Sequence, residues 1–87
     1  MTADTFVFLP TDDTYKVNLR VASSMTHKPR RKSAVSLQID GKTWLHGDCV
    51  QLMEYRSGSD WICLGDWKGM ERRFDIERVT EVRVWIG

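Results

Sequence analysis

Apolar and polar residues alternate along most of this chain with the two-residue period of a half-buried β-strand. The alternation is clearest in AVSLQID, where Val35, Leu37 and Ile39 share one face, and it returns in the C-terminal VRVWI. FVFL and WICLGDW are short and nearly continuous in apolar residues, which is typical of strands covered on both faces. DCVQLMEY fits a strand or one helical turn, and we interpret it as a strand that bends near Gly47. The predicted strands are residues 6–9, 15–21, 34–40, 42–47 continuing into 48–55, 61–67, 71–76 and 82–86.

Turn residues separate these strands at short intervals. PTDD at residues 10–13 joins the first two strands into a predicted hairpin, and Asp40-Gly41 is the dipeptide that a tight hairpin prefers. Residues 22–33 have no periodicity and are predicted to form an exposed basic loop. Strands spaced in this way, without a long helix, predict an all-β fold: one antiparallel β-barrel domain, closed or half-closed, spanning residues 1–87, with five to seven short strands and little helix.

Composition limits the classes of function. The chain has 87 residues, 41% of them hydrophobic, and a formal net charge of +1, so its overall charge indicates no particular partner. No apolar run approaches the ~20 residues of a membrane span, and the N-terminus lacks the pattern of a signal peptide. We therefore expect a cytoplasmic protein without membrane contact. Cys49 and Cys63 lie among apolar residues, so reduced thiols are the expectation, with a single disulfide left open.

Catalytic and metal-binding chemistry has little support. Cys49 or Cys63 would need His27 or His46 as a base, and no basic cluster or helix N-terminus adjoins either thiol to lower its pKa. His46 and Cys49 have an H-x-x-C spacing, but the second close pair of a structural zinc site is missing. We predict no enzyme activity, no metal and no cofactor.

Nucleic acid is the partner that the basic loop favours. HKPRRK concentrates cations as a phosphate backbone requires, and small barrels bind single strands by combining such loops with aromatic stacking faces. The predicted contacts are Lys28, Arg30, Arg31 and Lys32 in the loop, with Trp44, Trp67 and Trp85 as stacking candidates. An acidic protein surface would attract the same charges, and edge strands at residues 6–9 or 82–86 would allow homo-oligomers.

DWICL at residues 60–64 and RRFDIERV at residues 72–79 are the two segments by which residues 35–84 resemble a WYL-type domain, a small Sm-like barrel. The family's g-x-W-Y-L strand corresponds to DWICL, where Trp61 matches the tryptophan and Ile62 replaces the tyrosine. Its R-x-F-x-(L/I)-x-R-I block corresponds to RRFDIERV, which supplies Arg72 or Arg73, Phe74, Ile76, Arg78 and Val79. WYL-type domains are ligand-sensing modules of bacterial regulators and phage-defence proteins, so the resemblance implies a nucleic-acid or nucleotide ligand. It adds Arg73 and Arg78 to the predicted contacts, whereas packing predicts that Trp61 and Phe74 lie in the core.

The chain also looks like the Rof group of Rho inhibitors, which are small free-standing Sm-like proteins. Their R-x-L-x-L-D-K-I block corresponds to the same RRFDIERV, although Rof-like proteins are acidic and this chain is not. The favoured interpretation is thus a non-enzymatic regulatory module that binds single-stranded nucleic acid or a nucleotide. The alternative is a small phage- or mobile-element-type protein that binds and inhibits a host protein complex.

Overall fold

The computed structural model describes residues 4–11, 13–27, 33–66 and 68–86, which form seven strands, one α-helix and one short 3-10 helix. In chain order the elements are β1 (Asp4–Phe8), α1 (Tyr15–His27), β2 (Ser33–Ile39), β3 (Thr43–Gly47), β4 (Cys49–Met53), β5 (Trp61–Gly65), β6 (Glu71–Asp75), the 3-10 helix (Ile76–Arg78) and β7 (Val79–Ile86).

The strands form two antiparallel sheets. One has four strands in the order β1-β7-β2-β3, and the other has three in the order β4-β5-β6. The predicted all-β class is confirmed, but within the described ranges no strand pairing joins the two sheets into a closed barrel. Asp40 and Gly41, in the turn between β2 and β3, both have positive φ, as the Asp-Gly prediction required.

Gly47 is where the chain leaves the first sheet for the second. A Cβ atom at this position would lie 2.6 Å from the carbonyl oxygen of Gly65 and 2.7 Å from Cδ1 of Leu64. The amide of Asp48 donates to the same Gly65 oxygen at 2.8 Å. Only glycine permits this close approach, and the predicted bend near Gly47 is confirmed.

The core lies between the two sheets and one face of α1. Its fully buried members come from every layer, because each strand turns alternate apolar residues inward. Leu19 comes from the helix, Val35 and Val84 from the first sheet, and Ile62 and Leu64 from the second.

The prediction of a strand at residues 15–21 is wrong, and with it the predicted first hairpin, because the segment begins helix α1. The apolar residues of this segment fit a helix as well as a strand, because Tyr15, Leu19 and Ala22 follow one another on a single helix face. Tyr15, Leu19 and Ala22 are buried, whereas Val17 and Val21 remain 57% and 52% exposed. The burial therefore follows the helical period, and packing overrides the β propensity of the valines.

The prediction of a loop at residues 22–33 is wrong at both of its ends. Residues 22–27 continue α1 and Ser33 begins β2, while residues 28–32 lie outside the described part of the chain. α1 packs against β4, where the side chains of Ser23 and Thr26 bond to its backbone. No helix in the described ranges is long and apolar enough to cross a membrane.

The opposite end of α1 is held by an ion pair. Nζ of Lys16 donates to Oδ2 of the buried Asp60 at 2.5 Å, and Oδ1 accepts from the amide of Tyr55 at 3.3 Å. The Asp60 carbonyl in turn accepts from the amide of Ile76 at 3.0 Å, where the 3-10 helix begins. Asp60 therefore connects the helix, the turn after β4 and the segment after β6.

Candidate functional site

The four-stranded sheet has one face on the core and one face turned away from it. Register places Val7 opposite Arg83, Arg83 opposite Ser36, and Ser36 opposite His46, so one row of side chains crosses all four strands. Their inward neighbours, such as Val35 and Val84, are core residues, so this row lies on the other side. We call this surface the outer face; it comprises Val7, Ala34, Ser36, Gln38, Trp44, His46, Glu81, Arg83 and Trp85.

A cation–aromatic pair lies at the centre of the outer face. The guanidinium carbon of Arg83 lies 4.7 Å from the ring centroid of Trp44. Arg83 also pairs with Glu81, at 3.3 Å, and its side chain remains 42% exposed. Trp44 is half-buried beneath this arginine. The pair presents a planar cation to solvent, and such a plane stacks on nucleobases as an aromatic ring does.

His46 extends the outer face toward the second sheet. Its Nδ1 lies 2.6 Å from the hydroxyl of the buried Ser36, which fixes the ring while the residue as a whole stays exposed. The guanidinium of Arg72 reaches across from β6 and donates to the His46 carbonyl at 3.4 Å. Among the described residues, no hydrogen bond partner is recorded for the ring nitrogen Nε2 of His46.

Trp85 occupies the end of the outer face at which β2 begins. It is half-buried and lies opposite Ala34 on β2, one register pair from Ser33 and Ile86. The alternation in VRVWI predicts that Trp85 lies on the same side of its strand as Arg83, and the register confirms this prediction.

Arg73 and Arg78 do not lie together. Arg73 is exposed on β6 opposite Cys63, on the side of the three-stranded sheet away from the core. Arg78 lies in the 3-10 helix and pairs with Asp40 at 3.1 Å, while its carbonyl accepts from the Asp40 amide at 2.8 Å. Arg78 therefore anchors the turn between β2 and β3, at the end of β2 away from Ser33.

The remaining predicted contacts lie outside the described residues: Lys28, Arg30, Arg31, Lys32 and Trp67. Trp61, predicted to be in the core, is half-buried and lies on the side of the three-stranded sheet away from the core, together with Arg73 and the buried Cys63, because Ile62 and Leu64 take the inward positions.

Both cysteines are free thiols in this structure. Burial raises the pKa of the Cys63 thiol, and the neighbouring Glu71 carboxylate adds to the effect. In the described part of the chain no three His, Cys, Asp or Glu side chains cluster as metal ligands.

Two members of the outer face were missed as candidate contacts, Arg83 and His46. Both could have been found from the pattern alone, because Arg83 alternates with Val82 and Val84 next to Trp85, and His46 lies two residues after Trp44. A basic residue on the same strand face as a tryptophan was the available signal.

Comparisons with known proteins identify no relative: no protein family, curated protein or solved structure matches this chain. The resemblances to WYL-type and Rof-like proteins therefore stay predictions.

Proposed function

We propose that this protein binds single-stranded nucleic acid on the outer face, with the basic segment at residues 28–32 holding the phosphates. The observation that carries this proposal is covalent: Lys32 is bonded to Ser33, and Ser33 lies one register pair from the Ala34–Trp85 pair. A chain extends at most about 3.6 Å per residue, so Arg30, Arg31 and Lys32 stay within roughly 11 Å of Ser33. Cations and aromatic side chains thus belong to one end of one surface.

The charge distribution supports the same proposal. Four of the 13 basic residues fall within residues 28–32, and the other nine are outnumbered by the 12 acidic residues. The net charge of +1 therefore conceals a concentrated cationic segment on an otherwise acidic domain. Phosphates bound there release counterions, whereas phosphates elsewhere would meet a net negative surface.

The outer face supplies the contacts to bases. Trp85, the Arg83–Trp44 pair and His46 offer flat groups across neighbouring strands, and aromatic stacking tolerates any base because every base has a π-face. The face is a sheet without a projecting helix, so it suits an unpaired strand better than the major groove of a duplex. Binding should therefore show little dependence on base sequence.

Arg73 and Arg78 are secondary in this proposal. Arg78 lies near Ile39, six residues along β2 from Ser33, which corresponds to about 20 Å at the rise of a β-strand. Its ion pair with Asp40 has both side chains more than half exposed, so exchange of that partner for a phosphate requires little free energy. A strand long enough to follow the outer face reaches Arg78, whereas Arg73 faces away on the other sheet.

The test is binding of a fluorescently labelled, mixed-sequence single-stranded oligonucleotide, measured by anisotropy over a range of salt concentrations. If all four cations of the basic segment contact phosphate, the plot of log affinity against log salt concentration has a slope of about −3. Changing Lys28, Arg30, Arg31 and Lys32 together to alanine should remove most of that slope.

The matched control removes two exposed cations elsewhere, Lys42→Ala with Arg56→Ala, and should leave the slope unchanged. A competing mononucleotide separates a nucleotide ligand from a strand, because only a strand engages the whole face. Absence of binding at low salt contradicts the proposal, and capture of a stoichiometric, nuclease-resistant host protein from lysate would instead favour the inhibitor alternative.

A further inference from the structure

β1 is an outer strand of the four-stranded sheet and pairs only with β7 among the described strands. The sequence predicted edge strands at residues 6–9 or 82–86. The second prediction is wrong, because β7 is flanked by β1 and β2 and cannot accept another strand. Exposed apolar side chains lie on β1 and directly after it: Phe6 and Val7 of the strand are 37% and 48% exposed, and the following Leu9 is 40% exposed. An apolar strand with a free backbone edge is a template for pairing with another chain.

The other edges of the two sheets are protected. Along β4, the hydroxyl of Thr26 bonds to both the amide and the carbonyl of Val50, and the hydroxyl of Ser23 accepts from the amide of Leu52. Helix α1 therefore takes the place of a neighbouring strand. Along β6, four of the five residues are charged, Glu71, Arg72, Arg73 and Asp75, which opposes the addition of a strand.

The edge of β3 is also covered, since Arg72 donates to the carbonyl of His46 and the chain turns at Gly47 into the second sheet. β1 has no such protection among the described residues. It is also bordered by a groove of about 260 Å³ that lies between β1 and α1, lined by Asn18 and six residues with apolar side chains: Phe6, Val7, Phe8, Val21, Ala22 and Met25.

We propose that the occupant of this edge is a second copy of the same chain, paired through β1 in antiparallel fashion about a two-fold axis. The described side chains that line the groove are all uncharged, so the surface does not repel itself as a patch of single-sign charge would. Self-association also places the apolar side chains of one β1 beside those of the other, whereas a charged strand would have to be desolvated there.

The antiparallel register that brings identical residue types opposite each other is centred on Val7, because residues 6–8 read Phe-Val-Phe. Phe6 then lies beside the partner's Phe8 and Val7 beside the partner's Val7, and residues directly opposite in an antiparallel pair share a face. Phe6 and Phe8 already stack within one chain, with centroids 6.2 Å apart and ring planes 4° apart. Pairing would extend this aromatic row across the two-fold axis and join two four-stranded sheets into one.

Light scattering coupled to size-exclusion chromatography tests this pairing on the full chain. The wild type should elute with twice the 10.1 kDa mass of one chain and dissociate on dilution. Val7→Lys places a charge on the free edge and should yield monomers. Met70→Lys, at the 65% exposed methionine directly before β6, is the control and should leave the dimer intact.

Amide hydrogen exchange provides a readout that needs no variant. Protection of residues 4–8 should rise with protein concentration, while protection of β5 should not change. If Val7→Lys loses its circular-dichroism signal, Leu9→Lys replaces it, because Leu9 lies outside the strand. A wild type that stays monomeric at high concentration overturns the inference, as does a dimer that persists in a folded edge variant.

Discussion

The hydroxyl of Thr26 bonds to both backbone groups of Val50, accepting from its amide and donating to its carbonyl, each at 3.2 Å. A helix side chain thus makes the two contacts that a neighbouring strand would make. Thr26 and Val50 are both buried, so water cannot replace these bonds. The contact fixes α1 along the edge of β4 and explains why a 13-residue helix belongs to an otherwise all-β domain.

Replacing Thr26 with valine should destabilise the fold by about 1–3 kcal/mol, because the near-isosteric side chain leaves the amide and carbonyl of Val50 unsatisfied. Urea unfolding followed by circular dichroism measures the change. Ser24→Ala, at an exposed position of the same helix, should stay within about 0.5 kcal/mol of the wild type. Equal stabilities for the two variants would show that the hydroxyl contacts contribute nothing.

Replacing Gly47 with alanine should destabilise the fold by about 1–3 kcal/mol through steric overlap. The added Cβ would lie 2.6 Å from the Gly65 carbonyl oxygen, a backbone atom that cannot move without displacing β5. The comparison variant is Gly58→Ala, where nothing lies within 4 Å but φ is +84°, so it carries backbone strain alone. Chemical denaturation should rank Gly47→Ala as the less stable, and the reverse order would argue against the close approach at this bend.

The Lys16–Asp60 pair should make stability depend on pH at both extremes. The hydrogen bond from Lys16 holds the pKa of Asp60 below its ordinary value, against the opposing effect of burial and with help from the Tyr55 amide. The unfolded state then takes up the proton first, so this stabilisation is complete above the ordinary pKa of about 4 and is lost as pH falls through the folded value.

The partner behaves in the opposite sense. The hydrogen bond to Asp60 raises the pKa of Lys16, so its contribution is complete below the ordinary pKa of about 10.4 and is lost as pH rises through the folded value. Urea midpoints measured from neutral pH to acid should fall more steeply below pH 4 in the wild type than in Asp60→Asn. Parallel curves would show that this carboxyl does not govern the acid transition.

Truncating Trp85 to alanine should weaken binding of a single strand by about 5- to 150-fold, the equivalent of about 1–3 kcal/mol for one stacked base. Trp61→Ala is the matched control, because Trp61 is also half-buried but lies on the three-stranded sheet. Fluorescence anisotropy at constant salt measures both. Equal losses of affinity, or a larger loss for Trp61→Ala, would contradict binding on the four-stranded sheet.

Strand positions were predictable where alternation and turn chemistry agreed. Val35, Leu37 and Ile39 point inward as their spacing requires, and the Asp40-Gly41 turn has the positive φ values that the dipeptide indicates. The bend at Gly47 was also predictable, since a glycine between two apolar runs permits close approach of two backbone segments.

Helix α1 was not predicted, because its apolar residues satisfy two periods at once. Val17 and Val21 complete a strand-like alternation, and only their exposure in the fold shows that they are surface residues. What decides between the two periods is the edge of β4, which Ser23 and Thr26 cover from 24 or more residues away in sequence. A contact between residues so far apart in sequence produces no local sequence pattern that would predict it. The same holds for the contact of Arg83 with the Trp44 ring.

The most direct test of nucleic-acid binding on the outer face is a two-dimensional ¹⁵N–¹H NMR titration with a short single-stranded oligonucleotide. The proposal predicts that the Trp85 indole N–H and the amides of residues 33–36 and 83–86 shift progressively, while the Trp61 indole and the amides of β5 do not. Shifts confined to the three-stranded sheet, or no shifts at low salt, would contradict it.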